Sequence, residues 1–267
     1  MHFVDEGQGR PLLMVHGNPT WSFYYRRLVE AFRGDYRAVA VDHVGCGLSD
    51  KPASEKHNYR LVDRIDDLTA LVEHLDLQNA TLLAHDWGGA IGLGTVLRVP
   101  HRFSQIVLFN TAAFPPPSIP KRISACRIPL VGTFAMRGLN AFARAALWMA
   151  VEDRKNLPRP VCQGLIAPYD SWANRRAVDA FVKDIPRPGD PTWQVLAQLE
   201  QDLPTLAQKC LLIWGMKDWC FDTNCLEKLQ GLLPHAVRHP IPSAGHYVVE
   251  EAADEIIATL NPFLAGS

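Results

Sequence analysis

The sequence predicts an α/β fold, a mostly parallel sheet with helices on both faces. Three observations lead there: short apolar runs alternate with helical patterns, each run ends near a polar residue, and one long stretch breaks the alternation with helices alone. The runs are Pro11 to Val15, Ala38 to Val41, Thr81 to Ala84, Ile106 to Phe109 and Cys210 to Trp214. Short and continuously apolar, they suit strands buried on both faces. Between the second and third runs, Leu61, Ile65, Leu68, Val72 and Leu75 recur at spacings of three and four. A helix with one face on the sheet is expected there, with Asn58 as its candidate N-cap.

The run Ala113-Phe114-Pro115-Pro116-Pro117 ends the alternation, and the following seventy or so residues carry many prolines and no convincing buried strand. Residues 114–190 therefore read as an inserted helical cap, leaving 1–113 and 191–267 as the core. Within the cap, Leu139 to Val151 is apolar except for Asn140 and Arg144. It is suited to line a pocket for a long hydrocarbon, buried between cap and core in preference to lying on a membrane surface.

Length and composition bound the function. With 267 residues, 48% apolar content and a formal charge of −1, the chain can bury one large core and carries no net field for nucleic acid or acidic surfaces. The six cysteines form neither a CxxC pair nor a Cys/His cluster, so free thiols in a reducing cytoplasm are expected, without a metal site or a disulfide framework. The N-terminus lacks a basic segment followed by an apolar one, and no run approaches the roughly 18 apolar residues of a membrane span. A cytoplasmic enzyme acting on a small hydrophobic substrate, without a cofactor, is the expectation.

The chemistry is concentrated where apolar runs end, because open parallel sheets gather reactive groups at the carboxyl ends of their strands. Asp86 follows Thr81-Leu82-Leu83-Ala84-His85 and precedes Trp87-Gly88-Gly89. Small residues on both sides and a helical pattern beyond it give the strand, sharp turn and helix of a nucleophile elbow, with aspartate where serine is usual. A carboxylate there attacks carbon and leaves an ester to be resolved. Asp218 follows the Cys210 run, and His246 lies in Ser243-Ala244-Gly245-His246-Tyr247 before the C-terminal helix. A neutral imidazole at His246 can deprotonate water, and a carboxylate at Asp218 can fix its tautomer. His16-Gly17-Asn18-Pro19 follows the first long run, where a backbone N–H can pair with that of Trp87 to hold an oxyanion. The side chains of Asn18 and Trp87 add uncharged donors suited to a halide or a partly charged leaving oxygen. Gly45-Cys46-Gly47 lacks the third glycine of a nucleotide loop and is assigned to a turn.

These residues resemble the haloalkane dehalogenase-like branch of the α/β-hydrolase superfamily. The matching segments are His16 to Trp21, Asp42 to Pro52, His85-Asp86-Trp87-Gly88-Gly89 and Ala244-Gly245-His246, so the resemblance covers nearly the whole chain. It implies the α/β-hydrolase fold, with Asp86 as nucleophile, His246 as base, Asp218 as triad acid, and Asn18 with Trp87 as the leaving-group clamp. A dehalogenase subgroup with a glutamate after the Ile106 strand is not matched, because Asn110 stands there and is expected to touch the site at most. Pro168 to Arg175, Asp184-Ile185-Pro186 and Pro188-Gly189-Asp190 resemble the β-lactone decarboxylases of bacterial long-chain olefin biosynthesis. That resemblance implies a cis-disubstituted β-lactone losing carbon dioxide to give a cis-alkene, and raises an assembly with other olefin-biosynthesis enzymes. It also implies that the usual first strand of the family is absent, since Met1 to Gly7 stands close to the second, with an exposed sheet edge as the consequence.

Five other readings compete. Haloalkane dehalogenase shares every catalytic residue, and differs in the shape of the cap pocket. Epoxide hydrolase, by resemblance, needs two cap tyrosines, whereas Tyr169 is the single one between Phe114 and Asp190. Fluoroacetate-type dehalogenases place an arginine where Trp87 stands, and a serine esterase is excluded by Asp86 itself. A non-catalytic binder of hydrophobic ligands is disfavoured by the intact Asp86, Asp218 and His246 set.

Overall fold

The computed structural model describes residues 1–266. Its seven strands are β1 (Phe3–Glu6), β2 (Pro11–Val15), β3 (Arg37–Val41), β4 (Ala80–Asp86), β5 (Phe103–Thr111), β6 (Lys209–Gly215) and β7 (Val237–Ile241). They form one sheet in the order β1-β3-β2-β4-β5-β6-β7, parallel throughout except for β1, which runs antiparallel to β3. All five expected runs are strands. The edge strands β1 and β7 lack a continuous apolar run because they are half exposed, and Pro240 in β7 is tolerated where one side of the ladder ends.

Period-two alternation divides the buried side chains between the two faces of the sheet. Leu13, Val15, Leu82, Ala84, Ile106 and Leu108 pack on one side with helices α2 (Leu61–His74) and α3 (Trp87–Arg98). Leu12, Met14, Leu83, Val107, Phe109 and Ile213 pack on the other, against α1 (Arg26–Phe32) and, near the C-terminus, α12 (Ala253–Ala265). At about 25 cal/mol per Å² of apolar surface removed from water, these two layers are the main source of stability.

Between β5 and β6 lie α4 (Lys121–Cys126), α5 (Val131–Thr133), a π-helical turn at Phe134–Gly138, α6 (Ala141–Met149), α7 (Arg159–Ile166), α8 (Arg176–Asp184) and α9 (Pro191–Asp202). No strand occurs among the described residues of this stretch, and α9 returns to pack on α2 and α3. Helix α10 (Thr223–Leu232) follows β6, and the short α11 (Val248–Glu251) follows the His246 loop. No helix among the described residues is long and apolar enough to cross a membrane.

Two local expectations need correction. Helix α2 begins at Leu61 with Arg60 as N-cap, two residues beyond Asn58. The reason is a partner distant in sequence: Asp184 Oδ2 accepts the Leu61 N–H at 2.7 Å, while Arg60 N–H donates to Asp63 Oδ2 at 3.1 Å, so the helix's first donors are met without Asn58. Asn110 is fully buried and does not line the cavity described below. Its side chain instead clamps Gly215, accepting the N–H at 2.8 Å and donating to the carbonyl at 3.0 Å. The pair fixes the carboxyl end of β6, from which Asp218 departs.

Replacing Asn110 with alanine removes the side-chain partner of the Gly215 N–H and leaves the Gly215 carbonyl with the longer Asp218 N–H bond at 3.3 Å, so Asn110→Ala is expected to lower stability by about 2 kcal/mol. Urea titration measures this; an unchanged midpoint would show the clamp to be dispensable.

Candidate active site

Strand β4 ends at Asp86, whose φ of +55° and ψ of −129° turn the chain sharply into α3. Such a backbone is costly for a residue with a Cβ and is held by its surroundings. The Thr111 hydroxyl donates to the Asp86 carbonyl oxygen. Neighbours approach closely because they are glycine: a Cβ on Gly17 would lie 2.0 Å from Asp86 Oδ1, and one on Gly89 2.0 Å from Thr111 Oγ1.

The two carboxylate oxygens of Asp86 have different surroundings. Oδ1 accepts the backbone N–H of Asn18 at 2.6 Å, and the Trp87 N–H also bonds to the carboxylate. Oδ2 faces His246 Nε2 at 3.7 Å. Burial pushes the Asp86 carboxyl above the ordinary aspartate value, partly opposed by His246 and by the two N–H donors.

His246 Nδ1 donates to Asp218 Oδ2 at 2.8 Å. Asp218 Oδ1 accepts the N–H groups of Cys220 (2.7 Å) and Phe221 (3.2 Å), so the turn after β6 fixes the carboxylate. Burial alone would lower the imidazole pKa, but the Asp218 and Asp86 carboxylates outweigh it and the net shift is upward. The ring is further held by Phe221, stacked with centroids 5.7 Å apart, and its carbonyl by His85 Nε2, which donates at 2.8 Å. Glu251 braces the loop by accepting the Gly245 N–H at 2.7 Å and the Glu152 N–H at 2.7 Å.

The structure thus brings all five expected residues together. Asn18, Asp86, Trp87 and His246 line one cavity of about 830 Å³, with Asp218 directly behind His246. Asn18 Nδ2 donates to the Val178 carbonyl at 3.3 Å and its Oδ1 has no partner, while Trp87 packs 5.6 Å from Phe181. Helix α8 therefore sets the orientation of both side chains. The rest of the wall is mostly apolar, with Phe142, Ala145, Ala146 and Met149 of α6 contributing one side as the Leu139 to Val151 pattern predicts. Tyr169 is absent from that wall; it is buried and donates to the Thr20 carbonyl at 2.9 Å, tying this stretch to the core. Gly45 and Gly47 have φ of +87° and +49° in a turn closed on Asp42, as expected.

Sequence reasoning missed His85, Phe221 and Glu251. His85 had a signal in its place beside Asp86 on β4; the other two act through contacts that no local pattern reveals.

The geometry and the comparisons with known proteins agree on the class: the chain belongs to the α/β-hydrolase fold family, whose model matches residues 10–253. Within it, the chain is 43% identical to a cis-3-alkyl-4-alkyloxetan-2-one decarboxylase from Shewanella oneidensis, covering 99% of this chain and 85% of that protein. It is 38% identical to a protein of the same description from Xanthomonas campestris pv. campestris, covering 99% and 92%. Among solved structures, haloalkane dehalogenase DatA from Agrobacterium tumefaciens superposes with a TM-score of 0.88 at 26% identity, covering 99% of this chain and 92% of that one.

The raised pKa of His246 has a testable origin. Removing the Asp218 charge leaves burial as the larger influence, so Asp218→Asn is expected to move the imidazole titration to lower pH. NMR of the ring protons reads the shift directly, and a titration that stays in place would separate Asp218 from His246.

Proposed function

We propose that this protein decarboxylates a cis-3,4-dialkyl β-lactone to a cis-alkene, with Asp86 as nucleophile. The single observation that carries the reading is the unequal environment of the Asp86 carboxylate, within an apolar cavity large enough for two alkyl arms. Oδ1 holds the Asn18 N–H, and Oδ2, which faces His246, is the attacking atom. Support also comes from the activity for which the two relatives are named and from residues 114–190, proposed as the helical cap over a core of 1–113 and 191–267.

The electrons balance without water. Asp86 Oδ2 attacks the sp³ ring carbon that bears the ring oxygen, and that carbon–oxygen bond breaks, leaving its electron pair on a carboxylate. The carbon–carboxylate bond then breaks, its pair becomes the alkene, and the new ester bond returns its pair to Asp86. Inversion in the first step followed by antiperiplanar loss in the second removes carbon dioxide from one face, so a cis-lactone gives a cis-alkene. Side-chain donors on Asn18 and Trp87 hold the departing carboxylate oxygen. A protonated His246 favours Asp86 as the leaving carboxylate of the second step, and the upward shift of its pKa by the Asp218 and Asp86 carboxylates favours that form.

Haloalkane dehalogenation is a second reading, supported by the placement of His246 Nε2 3.7 Å from Oδ2, where it can deprotonate water attacking an ester on Asp86. The free thiols of all six cysteines fit a reducing compartment, and cytoplasmic location with an assembly of olefin-forming enzymes belongs to the same proposal.

A paired turnover assay with a long-chain cis-β-lactone and bromoalkanes tests the reading. Wild type is expected to give alkene and little bromide, and Asp86→Asn to lose about 10⁴-fold or more while keeping its fold. Bromide without alkene would transfer the assignment to the dehalogenase. In H₂¹⁸O the two schemes also part: ester hydrolysis labels Asp86, whereas the decarboxylation above leaves it unlabelled in intact-mass spectra.

The pH dependence gives an independent check. Hydrolysis needs neutral His246, so bromide release should fall as pH drops through the raised imidazole pKa. Alkene formation should persist below that value until Asp86 itself is protonated. A lactone profile that follows the hydrolytic limb would remove the imidazolium from the second step.

A further inference from the structure

The overall charge of −1 conceals a separation. Residues 114–190 contain twelve Lys and Arg against six Asp and Glu, a net +6, so the remainder of the chain carries −7. No Asp or Glu occurs between Asp86 and Glu152, a stretch that includes Lys121, Arg122, Arg127, Arg137 and Arg144.

Within that acid-free stretch the cap exposes its largest apolar tip. Ile128, Leu130, Val131 and Phe134 are all exposed, Leu130 by 85%. A γ-turn centred on Leu130, with φ +62° and ψ −55°, is closed by Val131 N–H on the Pro129 carbonyl at 2.7 Å and holds the side chain outward. The inner side of the same segment walls the cavity through Ile123, Cys126, Ala135 and Met136. One layer of chain therefore separates the Asp86 cavity from the outside. Lys121, Arg122 and Arg144 are exposed around it; Asp179 is paired with Lys183, which also bonds Thr133 Oγ1 at 2.7 Å, and Asp184 and Asp190 interact with Arg127.

We propose that this face of the cap docks on an anionic lipid surface, with the Ile128 to Phe134 tip entering the interface. Apolar side chains ringed by unpaired cations are the combination that binds at the boundary between lipid headgroups and acyl chains. Charge complementarity selects anionic lipid over a neutral surface. A bilayer also dissolves dialkyl molecules that water does not, so docking would place a hydrocarbon-lined cavity beside the phase in which its contents partition. The surface reading stands on its own residues and does not depend on which ring or halide the site opens.

The test is co-sedimentation of the purified full chain with vesicles of phosphatidylglycerol and phosphatidylethanolamine, and separately with phosphatidylcholine. Wild type is expected to sediment with the first and not the second, and raised salt to weaken the binding. The double variant Leu130→Asp with Val131→Asp should bind about tenfold or more weakly, and Lys121→Glu should bind more weakly than wild type. None of these side chains lines the cavity, so turnover of a dispersed substrate should be retained, and the vesicle readout is independent of the substrate reading. Equal sedimentation of wild type and the double variant, or none by wild type, would overturn the proposal. So would a wild-type dimer in gel filtration that the double variant converts to monomer, because the tip would then be covered by a second copy of the chain.

Discussion

The turn at Asp86 is the constraint on which the rest of the site depends. A buried carboxylate at φ +55° and ψ −129° carries both backbone strain and a desolvation cost, and each survives only because neighbours compensate. Two N–H donors meet the carboxylate, the Thr111 hydroxyl meets the carbonyl, and Gly17 gives way to a side chain bulkier than serine. Strands β2 and β5 flank β4 directly and supply Gly17 and Thr111, so the parallel order of the sheet is itself part of the active-site construction.

Electrostatics then distribute the roles. Asp86 and Asp218 lie on opposite sides of one imidazole, at 3.7 Å from Nε2 and 2.8 Å from Nδ1. Two buried carboxylates around a single base favour the imidazolium, and the upward shift of His246 follows despite burial of the ring. Asp218 is anchored by two N–H groups, whereas Asp86 keeps Oδ2 free toward the cavity. One carboxylate is thereby committed to orientation and the other remains available to react.

Strands β2 to β6 were legible because a strand buried on both faces needs a continuous apolar run, and chemistry at their ends follows from the parallel topology. Asp86, Trp87, Asn18 and Asp218 were singled out for the same reason, each lying just beyond such a run, and His246 for its Gly-His loop after Asp218; the structure brings these five side chains together. What the sequence hides is long-range pairing. Asp184 caps α2 from 123 residues away, Asn110 bonds to Gly215 across 105, and Glu251 reaches residues on both sides of the His246 loop. Each is a polar side chain whose partner is set by tertiary packing, so no local spacing announces it.

The helical stretch between β5 and β6, proposed as the cap, was the least legible part, and its own construction explains why. A helix that covers a core normally has one apolar stripe and one polar face. Here the inner side faces a hydrocarbon-lined cavity and the outer side, at Ile128, Leu130, Val131 and Phe134, also carries exposed apolar residues, so apolar positions occur on both sides of that segment. On α6, Ala143 and Leu147 pack into the protein, Ala145, Ala146 and Met149 face the cavity, and Trp148 is exposed. Small alanines at the cavity leave volume for ligand where larger side chains would fill it. The cations interspersed among these positions keep the segment hydrated, and no acid occurs in the sequence between Asp86 and Glu152. A pattern that is ambiguous when read as a core helix is therefore coherent as a thin wall with an apolar environment on each side.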